Sequence, residues 1–437
     1  MYLIIENRNK LFALSGIDWS VNFMADTIEM AEEVEKLILL SVKLQVDDDT
    51  EESLNELAEL VRTAGGITVG RVIQNREKVH PRTYIGKGKI EEVKELLWEL
   101  GASGVVCDDE LSPAQLRNLE AELDTKVMDR TLVILDIFAN RALTKEGKIQ
   151  VELAQLKYRS SRLVGSRSSL SKLGGGIGTR GPGEKKIEMD RRLIKDRIVQ
   201  LNRELDDVKS HREVTRQQRT KICSTVVSIV GYTNSGKSTL LNTLTDAGVL
   251  SENKLFATLD PTTRNLLLPS KEQVLITDTV GFIRKLPHNL IDAFRGTLEE
   301  AKYADIIIHV VDSSNPDMEK QMAIVYETLS DLGVSNKPII TLFNKSDKLE
   351  DKPIFKDFMA DVTLQGSAMT GEGLDKLKEI IDDLLREKKI YVERCYPFSE
   401  AAKIQIIRKY GQLISEEYTE NGIEVKAFVP KEVYSQV

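Results

Sequence analysis

Residues 225–244 read Thr225-Val-Val-Ser-Ile-Val-Gly231-Tyr-Thr-Asn-Ser-Gly-Lys-Ser238-Thr-Leu-Leu-Asn-Thr-Leu244, and this stretch decides the fold. Its first six residues are largely apolar and β-branched, which predicts a buried strand. Residues 231–238 then fit the pattern G-x-x-x-x-G-K-[ST], and a helix is predicted to open directly after them. A strand, a glycine-rich loop and a helix in that order are the context that a phosphate-binding loop requires. The sequence therefore predicts a nucleotide-binding α/β domain.

The chemistry expected of this loop follows from its residue types. Glycines let the backbone curl so that its N–H groups face the β-phosphate. The ammonium of Lys237 is expected to reach the β- and γ-phosphates, and the hydroxyl of Ser238 to ligate Mg²⁺. A chance glycine-rich turn does not explain the strand before the loop and the helix after it. We therefore assign the whole loop to the nucleotide: Gly231, Tyr232, Thr233, Asn234, Ser235, Gly236, Lys237 and Ser238.

A second motif, Asp278-Thr-Val-Gly281, ends a predicted buried strand at 274–277. Its position places Asp278 to hold Mg²⁺ through a water molecule, and the N–H of Gly281 to sense the γ-phosphate. We assign all four residues to the nucleotide: Asp278, Thr279, Val280 and Gly281.

Two further loops specify the base as guanine. Asn344-Lys-Ser-Asp347 follows a predicted strand at 338–343, and the carboxylate of Asp347 can accept hydrogen bonds from guanine N1–H and N2–H₂. Adenine lacks this pair of donors and would leave buried polar groups unpaired. After the next strand, a backbone N–H near Ser367-Ala368 is expected to meet guanine O6. Each motif is weak alone, but four in order at strand ends are not four unrelated loops. The residues assigned here are Asn344, Lys345, Ser346, Asp347, Ser367, Ala368 and Met369.

Bulk composition bounds the class of protein. The chain has 437 residues, which is too long for one core, so two to four domains are expected. Its 41% hydrophobic and 30% charged residues exclude general disorder. The sequence has no apolar run of the roughly 18 residues that a membrane span needs, and no signal-peptide pattern. We therefore expect a cytoplasmic protein without a membrane partner, and with reduced cysteines that match no metal spacing.

One segment carries a charge opposite to that of the whole chain. Residues 141–220 contain 20 Lys and Arg against 10 Asp and Glu, a local +10 in a chain of net charge −8. Helical apolar spacing at 148–158 and 189–219 flanks a stretch at 173–183 that has six glycines and a proline, which predicts neither helix nor strand. We predict two long helices joined by an extended loop. Such a basic hairpin indicates contact with a polyanion, although a solvated helical face explains the charge equally well.

The remaining segments alternate strand and helix signals. Before residue 140 we predict a hairpin about residues 7–10, a helix-like run at 24–40, strands at 39–46, 67–74, 104–108 and 125–128, and helices at 50–64, 89–100 and 112–123. The nucleotide-binding part has strands at 225–230, 274–277, 306–311 and 338–343, with helices between them. Beyond 388 we predict a strand at 392–397, a helix at 399–410 and a hairpin about Asn421-Gly422.

These segments give an α/β fold in four parts. A P-loop GTPase domain with a doubly wound sheet (222–388) is preceded by an N-terminal α/β domain (1–140) and a long basic helical hairpin (141–221). A small α+β domain (389–437) follows it.

The motif set resembles that of the translation-factor-related GTPases and, more narrowly, the HflX family of ribosome-associated GTPases. The resemblance covers the chain from about Ala64 to the C-terminus. The motifs that carry it are Leu111-Ser-Pro-Ala-Gln115, Asp129-Arg130, Val151-Glu-Leu-Ala-Gln-Leu156, Gly174-Gly-Gly-Ile-Gly-Thr-Arg-Gly-Pro-Gly-Glu184, Phe256-Ala-Thr-Leu-Asp-Pro-Thr-Thr-Arg264, Asp278-Thr-Val-Gly-Phe-Ile-Arg284 and Leu286-Pro-His-Asn-Leu290.

This resemblance implies a role for Thr258 as the switch threonine that completes Mg²⁺ coordination in the triphosphate state. On chemistry alone, Thr262 and Thr263 are alternatives. The metal ligands are then Ser238, Thr258 and, through water, Asp278. The residues given catalytic roles are Lys237, Ser238, Thr258 and Gly281. The nucleotide contacts added in this segment are Phe256, Ala257, Thr258, Leu259 and Asp260.

The resemblance also implies a substrate and a partner. The expected reaction is Mg²⁺-assisted hydrolysis of GTP to GDP. The expected partner is the large ribosomal subunit and its RNA, with the hairpin loop near the peptidyl-transferase centre of stalled ribosomes that the protein splits or rescues. We expect a monomer that is partly ribosome-bound. The cations expected to contact RNA are Arg167, Lys172, Arg180 and Lys185.

Phe282 follows the Asp278–Gly281 motif, where many GTPases have a glutamine that orients the attacking water. Phenylalanine cannot orient water, so the sequence predicts slow intrinsic hydrolysis, with another group or a partner completing the site. Phe282 is also interpretable as a packing residue, and the two readings are compatible.

Some polar residues are interpreted as structural. Lys87 and Lys89 precede a predicted helix and are assigned to an ordinary turn rather than to a phosphate site. Asp108-Asp109-Glu110 is interpreted as a solvated acidic loop before a helix cap at Ser112, rather than as a metal cluster. Two other function classes stay open from sequence: an RNA remodeller that acts off the ribosome, and a GTP-dependent regulatory scaffold.

Overall fold

The structure is a computed structural model of the chain. The described residues from Glu35 to Val437 form one compact unit. The ranges that the structure describes are 34–44, 49–162, 182–221, 225–245, 255–256, 258–285, 300–351, 353–419 and 422–437. The hairpin predicted about residues 7–10 lies outside them.

The first part of this unit is a parallel four-stranded sheet with helices on both faces. The strand order is β2-β1-β3-β4. Leu37 and Leu39 belong to the apolar cluster of α1 and α4, whereas Ile38 and Leu40 belong to that of α2 and α3. Both faces of β1 are therefore buried, as expected of a parallel sheet. The elements are β1 (Lys36–Leu44), α1 (Thr50–Thr63), β2 (Ile67–Arg76), α2 (Lys87–Leu100), β3 (Gly104–Cys107), α3 (Pro113–Leu123), β4 (Lys126–Asp129) and α4 (Arg130–Arg141).

Several predictions for this part need correction. The run at 24–40 is not helical at its end, because residues 36–40 belong to β1. A short continuous apolar run suits a buried strand as well as a buried helix, so periodicity did not separate the two. Helix α4 was not predicted, and Lys87 and Lys89 lie within α2 rather than before it. The cap at Ser112 is confirmed as a capping box with Gln115.

Two long helices follow, as the sequence predicts: α5 (Lys145–Arg162) and α6 (Pro182–Lys221). Ile149 and Leu153 of α5 share an apolar cluster with Leu201 and Leu205 of α6. Pro182 begins α6, so the end of the predicted glycine-rich loop is helical, because proline suits the first position of a helix. Residues 163–181 lie outside the described residues and contain Arg167, Lys172 and Arg180. Lys185 lies in α6.

The nucleotide-binding part is a six-stranded sheet of order β10-β9-β8-β5-β7-β6, in which only β6 is antiparallel to its neighbour. The carboxyl ends of β5, β7, β8 and β9 meet at one edge, where such sheets bind ligands. The elements are β5 (Val226–Gly231), α7 (Lys237–Thr245), β6 (Thr262–Leu267), β7 (Gln273–Asp278), β8 (Ile306–Asp312), α8 (Met318–Asp331), β9 (Ile339–Asn344), β10 (Val362–Gln365) and α9 (Leu374–Glu387).

The C-terminal part is a small antiparallel sheet of order β11-β13-β12 with its own apolar core. The predicted hairpin is confirmed, since β12 pairs with β13 on either side of residues 420–421. The domain boundaries at 140, 221 and 388 stay predictions. Among the described residues, no helix combines the length and apolarity of a membrane span. The elements are β11 (Ile390–Tyr396), α10 (Ala401–Tyr410), β12 (Gln412–Thr419), β13 (Gly422–Val429) and α11 (Lys431–Tyr434).

Candidate nucleotide site

The loop at 231–236 runs so close to neighbouring elements that its glycines cannot be replaced. A Cβ on Gly231 would lie 2.3 Å from the carbonyl oxygen of Val310, and a Cβ on Gly236 would lie 2.2 Å from Nδ2 of Asn344. Gly236 also has a φ of +101°, in the region that favours glycine. The two glycines of the sequence motif are therefore required by close packing as well as by loop conformation.

Lys237 is held inside this loop. Its side chain is buried, and Nζ donates a hydrogen bond to the carbonyl oxygen of Tyr232 at 2.8 Å. Burial lowers the pKa of Lys237 to about 8, although Asp278 acts in the opposite direction. A buried cation with so little compensation would be stabilised by an anionic ligand.

Unpaired buried oxygens also indicate a polar ligand at the loop. Oγ1 of Thr233, Oγ of Ser235 and Oδ1 of Asp278 are buried and have no hydrogen-bond partner among the described residues. Such atoms are rare in folded proteins because leaving them unpaired costs free energy. Their position around one loop fits a phosphate and its metal ion.

Three oxygens assigned to Mg²⁺ by sequence come together here. Oγ of Ser238 donates to Oδ2 of Asp278 at 2.7 Å and lies 2.7 Å from Oγ1 of Thr258. Burial raises the pKa of Asp278, although Lys237 and the two hydroxyls act in the opposite direction. Hydroxyl and carboxylate oxygens, together with the unpaired Oδ1 of Asp278, are the donor set that Mg²⁺ prefers, so these residues fit that ion.

The structure also separates the alternative threonines. Thr263 is paired through its hydroxyl with Thr277, at 2.9 Å, within the antiparallel pair of β6 and β7. Thr262 begins β6, whereas the hydroxyl of Thr258 is the one hydrogen-bonded to Ser238. Thr258 is therefore the threonine of the three that the structure places beside the loop hydroxyl.

Gly281 and Phe282 lie directly against the loop. A Cβ on Gly281 would be 2.8 Å from Cα of Thr233 and 3.0 Å from Nζ of Lys237. The N–H of Thr233 donates to the carbonyl oxygen of Phe282 at 2.8 Å, and the N–H of Phe282 donates to that of Gly231 at 3.1 Å. The side chain of Phe282 is only 2% exposed, which confirms that it is a packing residue.

Asn344 connects the loop to the predicted base-binding segments. Its Nδ2 donates to the carbonyl oxygen of Ser235 at 2.7 Å, and its Oδ1 accepts the N–H of Ala368 at 2.8 Å. The N–H of Ala368 is therefore engaged by Asn344 in this conformation. Asp347 is exposed, and Ser367 orients it by donating to Oδ1 at 2.5 Å.

Lys345 makes a second connection that the motif did not explain. Its Nζ donates to the carbonyl oxygen of Asn234 at 2.8 Å and to Oδ2 of Asp312 at 2.6 Å. The aliphatic chain of this lysine therefore crosses between the loop and the end of β8. Asp312 was not identified from sequence, because it is followed by Ser313-Ser-Asn315 and not by a glycine three positions on, as Asp278 is.

The described residues of the segment 256–260 contact different parts of the structure. Phe256 and Leu259 are buried, Thr258 faces the loop hydroxyl, and Ala257 lies outside the described residues. Asp260 was assigned to the nucleotide, but its carboxylate is bound to the turn before α5.

The acidic stretch after β3 corrects a sequence interpretation. Asp108 is not solvated: its side chain is completely buried and its Oδ1 accepts a hydrogen bond from Arg130 at 2.8 Å. Lys285, three residues after Phe282, donates to Oδ2 of Asp108 at 2.5 Å and to Oδ1 of Asp109 at 2.7 Å. Burial alone would raise the pKa of Asp108, but Arg130 and Lys285 outweigh it and lower that pKa.

Arg130 extends this network to the nucleotide loop. The guanidinium also donates to Oε1 of Glu56 at 2.6 Å and to the carbonyl oxygen of Arg284 at 3.3 Å. Glu56 in turn accepts the hydroxyl of Tyr232, and that hydroxyl accepts the N–H of Arg284 at 2.8 Å. The carboxyl edge of the first sheet thus holds the segment that follows Gly281.

The loop, the hydroxyl–carboxylate cluster and the Asn344–Asp347 segment together define a P-loop GTPase. Family models described as GTP-binding GTPase N-terminal, GTP-binding GTPase Middle Region and 50S ribosome-binding GTPase match residues 51–139, 141–219 and 226–345. The chain belongs to the HflX family of GTPases, and it binds and hydrolyses GTP.

Relatives from different bacteria carry that assignment. A GTPase HflX of Lacrimispora saccharolytica is 65% identical over 95% of this chain and 98% of its own length. That of Caldanaerobacter subterraneus is 48% identical over 93% of each chain. Among solved structures, the chain is similar to a GTP-binding protein from Sulfolobus solfataricus in complex with GDP, at 27% identity and a TM-score of 0.43, covering 80% of this chain and 98% of that one.

Proposed function

We propose that this GTPase requires Mg²⁺, acts on the large ribosomal subunit and its RNA, and splits or rescues stalled ribosomes. The observation that carries the ribosomal part is the basic pair of long helices, α5 and α6, of which α5 begins beside Asp260 in the GTPase part. The segment 141–220, which contains α5 and all of α6 except Lys221, carries a local +10. The family description of the GTPase part, a 50S ribosome-binding GTPase, supports the same partner. We further propose a cytoplasmic monomer that is partly ribosome-bound.

The site residues divide the proposed reaction between them. Ser238 and Thr258 would hold Mg²⁺ directly and Asp278 through water, since their oxygens already lie 2.7 Å apart. When bound, Mg²⁺ neutralises charge on the β- and γ-phosphate oxygens. Lys237 neutralises the same oxygens from within the loop, and the N–H of Gly281 binds the γ-phosphate. These groups bind and orient GTP for in-line attack by water.

Asp347→Asn is expected to weaken GTP binding by roughly a hundredfold and to create binding of xanthosine triphosphate. The substituted amide donates a hydrogen bond where guanine also donates and xanthine accepts. Ser367 orients the carboxylate through Oδ1, so the exchange alters the group that faces the base. Affinities for both nucleotides measured by calorimetry check this. Unchanged GTP affinity would remove Asp347 from the site.

Hydrolysis by the isolated protein is expected to be slow and to rise at least tenfold with purified large ribosomal subunits. The reason is that Phe282 is a buried packing residue and supplies no group to orient water. Steady-state GTPase assays with large subunits, with small subunits and with naked RNA measure the effect. Sedimentation with GDP and with a non-hydrolysable GTP analogue shows whether binding depends on the nucleotide.

The same assays separate the ribosomal function from other functions. A variant in which residues 174–183 are replaced by a short Gly-Ser turn should retain basal hydrolysis and lose splitting, because it removes Arg180 and the extended glycine-rich backbone that are proposed to contact RNA. Salt-sensitive binding to naked RNA without binding to subunits would instead identify an RNA remodeller. Binding of a protein partner in the absence of RNA would identify a regulatory scaffold.

A further inference from the structure

Residues on both sides of Thr258 are fixed to helices outside the GTPase sheet. The ring of Phe256 packs edge-to-face on Phe138 of α4, with 4.7 Å between centroids and 74° between planes. Two positions after Thr258, the carboxylate of Asp260 binds the start of α5. The threonine assigned to Mg²⁺ is therefore carried on a segment that is anchored at each end by the upstream part of the chain.

At the Asp260 anchor, both oxygens of the carboxylate accept hydrogen bonds. Its Oδ2 accepts the N–H groups of both Leu143 and Thr144 at 2.9 Å, and its Oδ1 accepts the hydroxyl of Thr144. Oγ1 of Thr144 accepts the N–H of Gly147 at 2.9 Å and so caps α5. A carboxylate at this place is also stabilised by the positive end of the helix dipole.

The packing at the Asp260 anchor leaves no room for a side chain at Gly147. A Cβ on Gly147 would lie 2.4 Å from Oδ1 of Asp260. At the other anchor, Phe256 and Leu259 share one continuous apolar cluster with Phe138 and Val151. Because packed cores and short hydrogen bonds resist small displacements, Thr258 and Leu259 have few alternative positions.

We propose that Asp260 is a positioning residue for GTP hydrolysis, which holds the hydroxyl of Thr258 at the metal by fixing its segment to the start of α5. The proposal rests on the proposed role of Thr258 in Mg²⁺ binding. The hydrogen bonds that the Asp260 carboxylate makes with the described residues go to Leu143 and Thr144, so its effect on hydrolysis passes through Thr258. The upstream helices therefore complete the GTPase site, and the pair α5 and α6 is joined to the segment that carries the metal ligand.

The test is a double-mutant cycle in the full-length chain with Thr258→Ala, Asp260→Ala and the pair. Asp260→Ala is expected to lower kcat about tenfold and to raise the Mg²⁺ concentration needed for half-maximal rate, because a displaced ligand loses its alignment. GDP affinity should stay within about twofold, because Thr258 serves the triphosphate state. In the Thr258→Ala background, Asp260→Ala should change kcat by less than about twofold, because two residues that act as a unit are not additive.

Two further variants guard against a change in folding. Gly147→Ala pushes a methyl group onto Oδ1 of Asp260 from the helix side, whereas alanine itself favours a helix, so it should reproduce the loss of kcat in a protein whose circular dichroism is unchanged. Asp361→Ala is the matched control. That carboxylate accepts the backbone N–H of Ile339 at 2.8 Å, at the far end of β9, and its removal should leave kcat unchanged.

The outcomes separate this inference from the function on which it rests. If the losses from Thr258→Ala and Asp260→Ala multiply in the pair, Asp260 does not act through Thr258 and the inference fails while the Mg²⁺ site stands. If Thr258→Ala alone leaves both kcat and the Mg²⁺ dependence unchanged, the proposed metal site itself fails. An Asp260→Ala protein that keeps the wild-type kcat overturns the inference as well.

Discussion

Lys237→Ala is expected to lower GTP hydrolysis by roughly 10²–10³-fold or more, a loss typical of removing one transition-state donor in a preorganised site. The ammonium lies inside the loop, where it donates to Tyr232 and faces Gly281. Nucleotide affinity should fall with the rate, because the ground-state phosphates lose the same contact.

The fold should survive this change. Burial lowers the pKa of Lys237 to about 8, so the charged form is destabilised in the free protein. Its replacement by a small apolar side chain therefore removes an unfavourable buried charge together with one hydrogen bond, while Asp278 keeps the hydroxyls of Ser238 and Thr258 as partners. Thermal melting and circular dichroism should remain near those of the unmodified chain.

The control for this prediction is Lys376→Ala, which removes an exposed lysine from helix α9 of the nucleotide-binding part. Its hydrolysis rate should be unchanged. Full hydrolysis by a well-folded Lys237→Ala protein would contradict the assignment of the phosphate loop. A Lys237→Ala protein that does not fold would show instead that the lysine stabilises the loop.

The parts of the site that sequence predicted are those whose information is local. A phosphate loop needs glycines where its backbone meets β8 and Asn344, and both glycines stand within one eight-residue pattern. Asn344 and Asp347 are placed by the end of a buried strand, which an apolar run makes visible. Strand, loop and helix could therefore be derived before any long-range contact was known.

The parts that sequence missed depend on partners far along the chain. Asp108 looks solvated in a run of three acidic residues, and its burial depends on Arg130, 22 positions later, and Lys285, 177 positions later. Asp260 stands beside the switch threonine, so proximity in sequence assigned it to the nucleotide, whereas its partners lie 116 and 117 positions earlier. A charged residue is rarely buried unless it is paired, and one sequence does not show the pair.

Arg130→Ala is expected to destabilise the first sheet by about 3–5 kcal/mol, the usual cost of breaking a buried ion pair by removing one partner. Both Arg130 and Asp108 are at most 1% exposed. Without the guanidinium, Asp108 keeps only the lysine and the serine hydroxyls as partners, and Glu56 loses its buried cation. The effect should appear in hydrogen exchange of the Val105 and Val106 amides, which report opening of β3.

A matched control exists in the same sheet. Lys126 and Glu35 form an ion pair at 2.7 Å, but their side chains are 50% and 49% exposed. Lys126→Ala should therefore cost no more than about 1 kcal/mol, because solvent screens such a pair. Both variants remove a cation from a carboxylate partner. The difference between their free energies of unfolding therefore measures the effect of burial on the ion pair.

A change at Asp108, the ion-pair partner of Arg130, shows why Arg130→Ala loses stability. Combining Asp108→Asn with Arg130→Ala should recover part of the lost stability, because the buried negative charge disappears with the cation. Arg130 also contacts the carbonyl oxygen of Arg284. If the unpaired charge of Asp108 is what disturbs this segment, the double variant should recover protection of the Arg284 amide from hydrogen exchange. If Arg130→Ala costs no more than Lys126→Ala, the buried network does not stabilise the junction between the first sheet and the GTPase site. The same holds if the effects of Asp108→Asn and Arg130→Ala on the free energy of unfolding are additive.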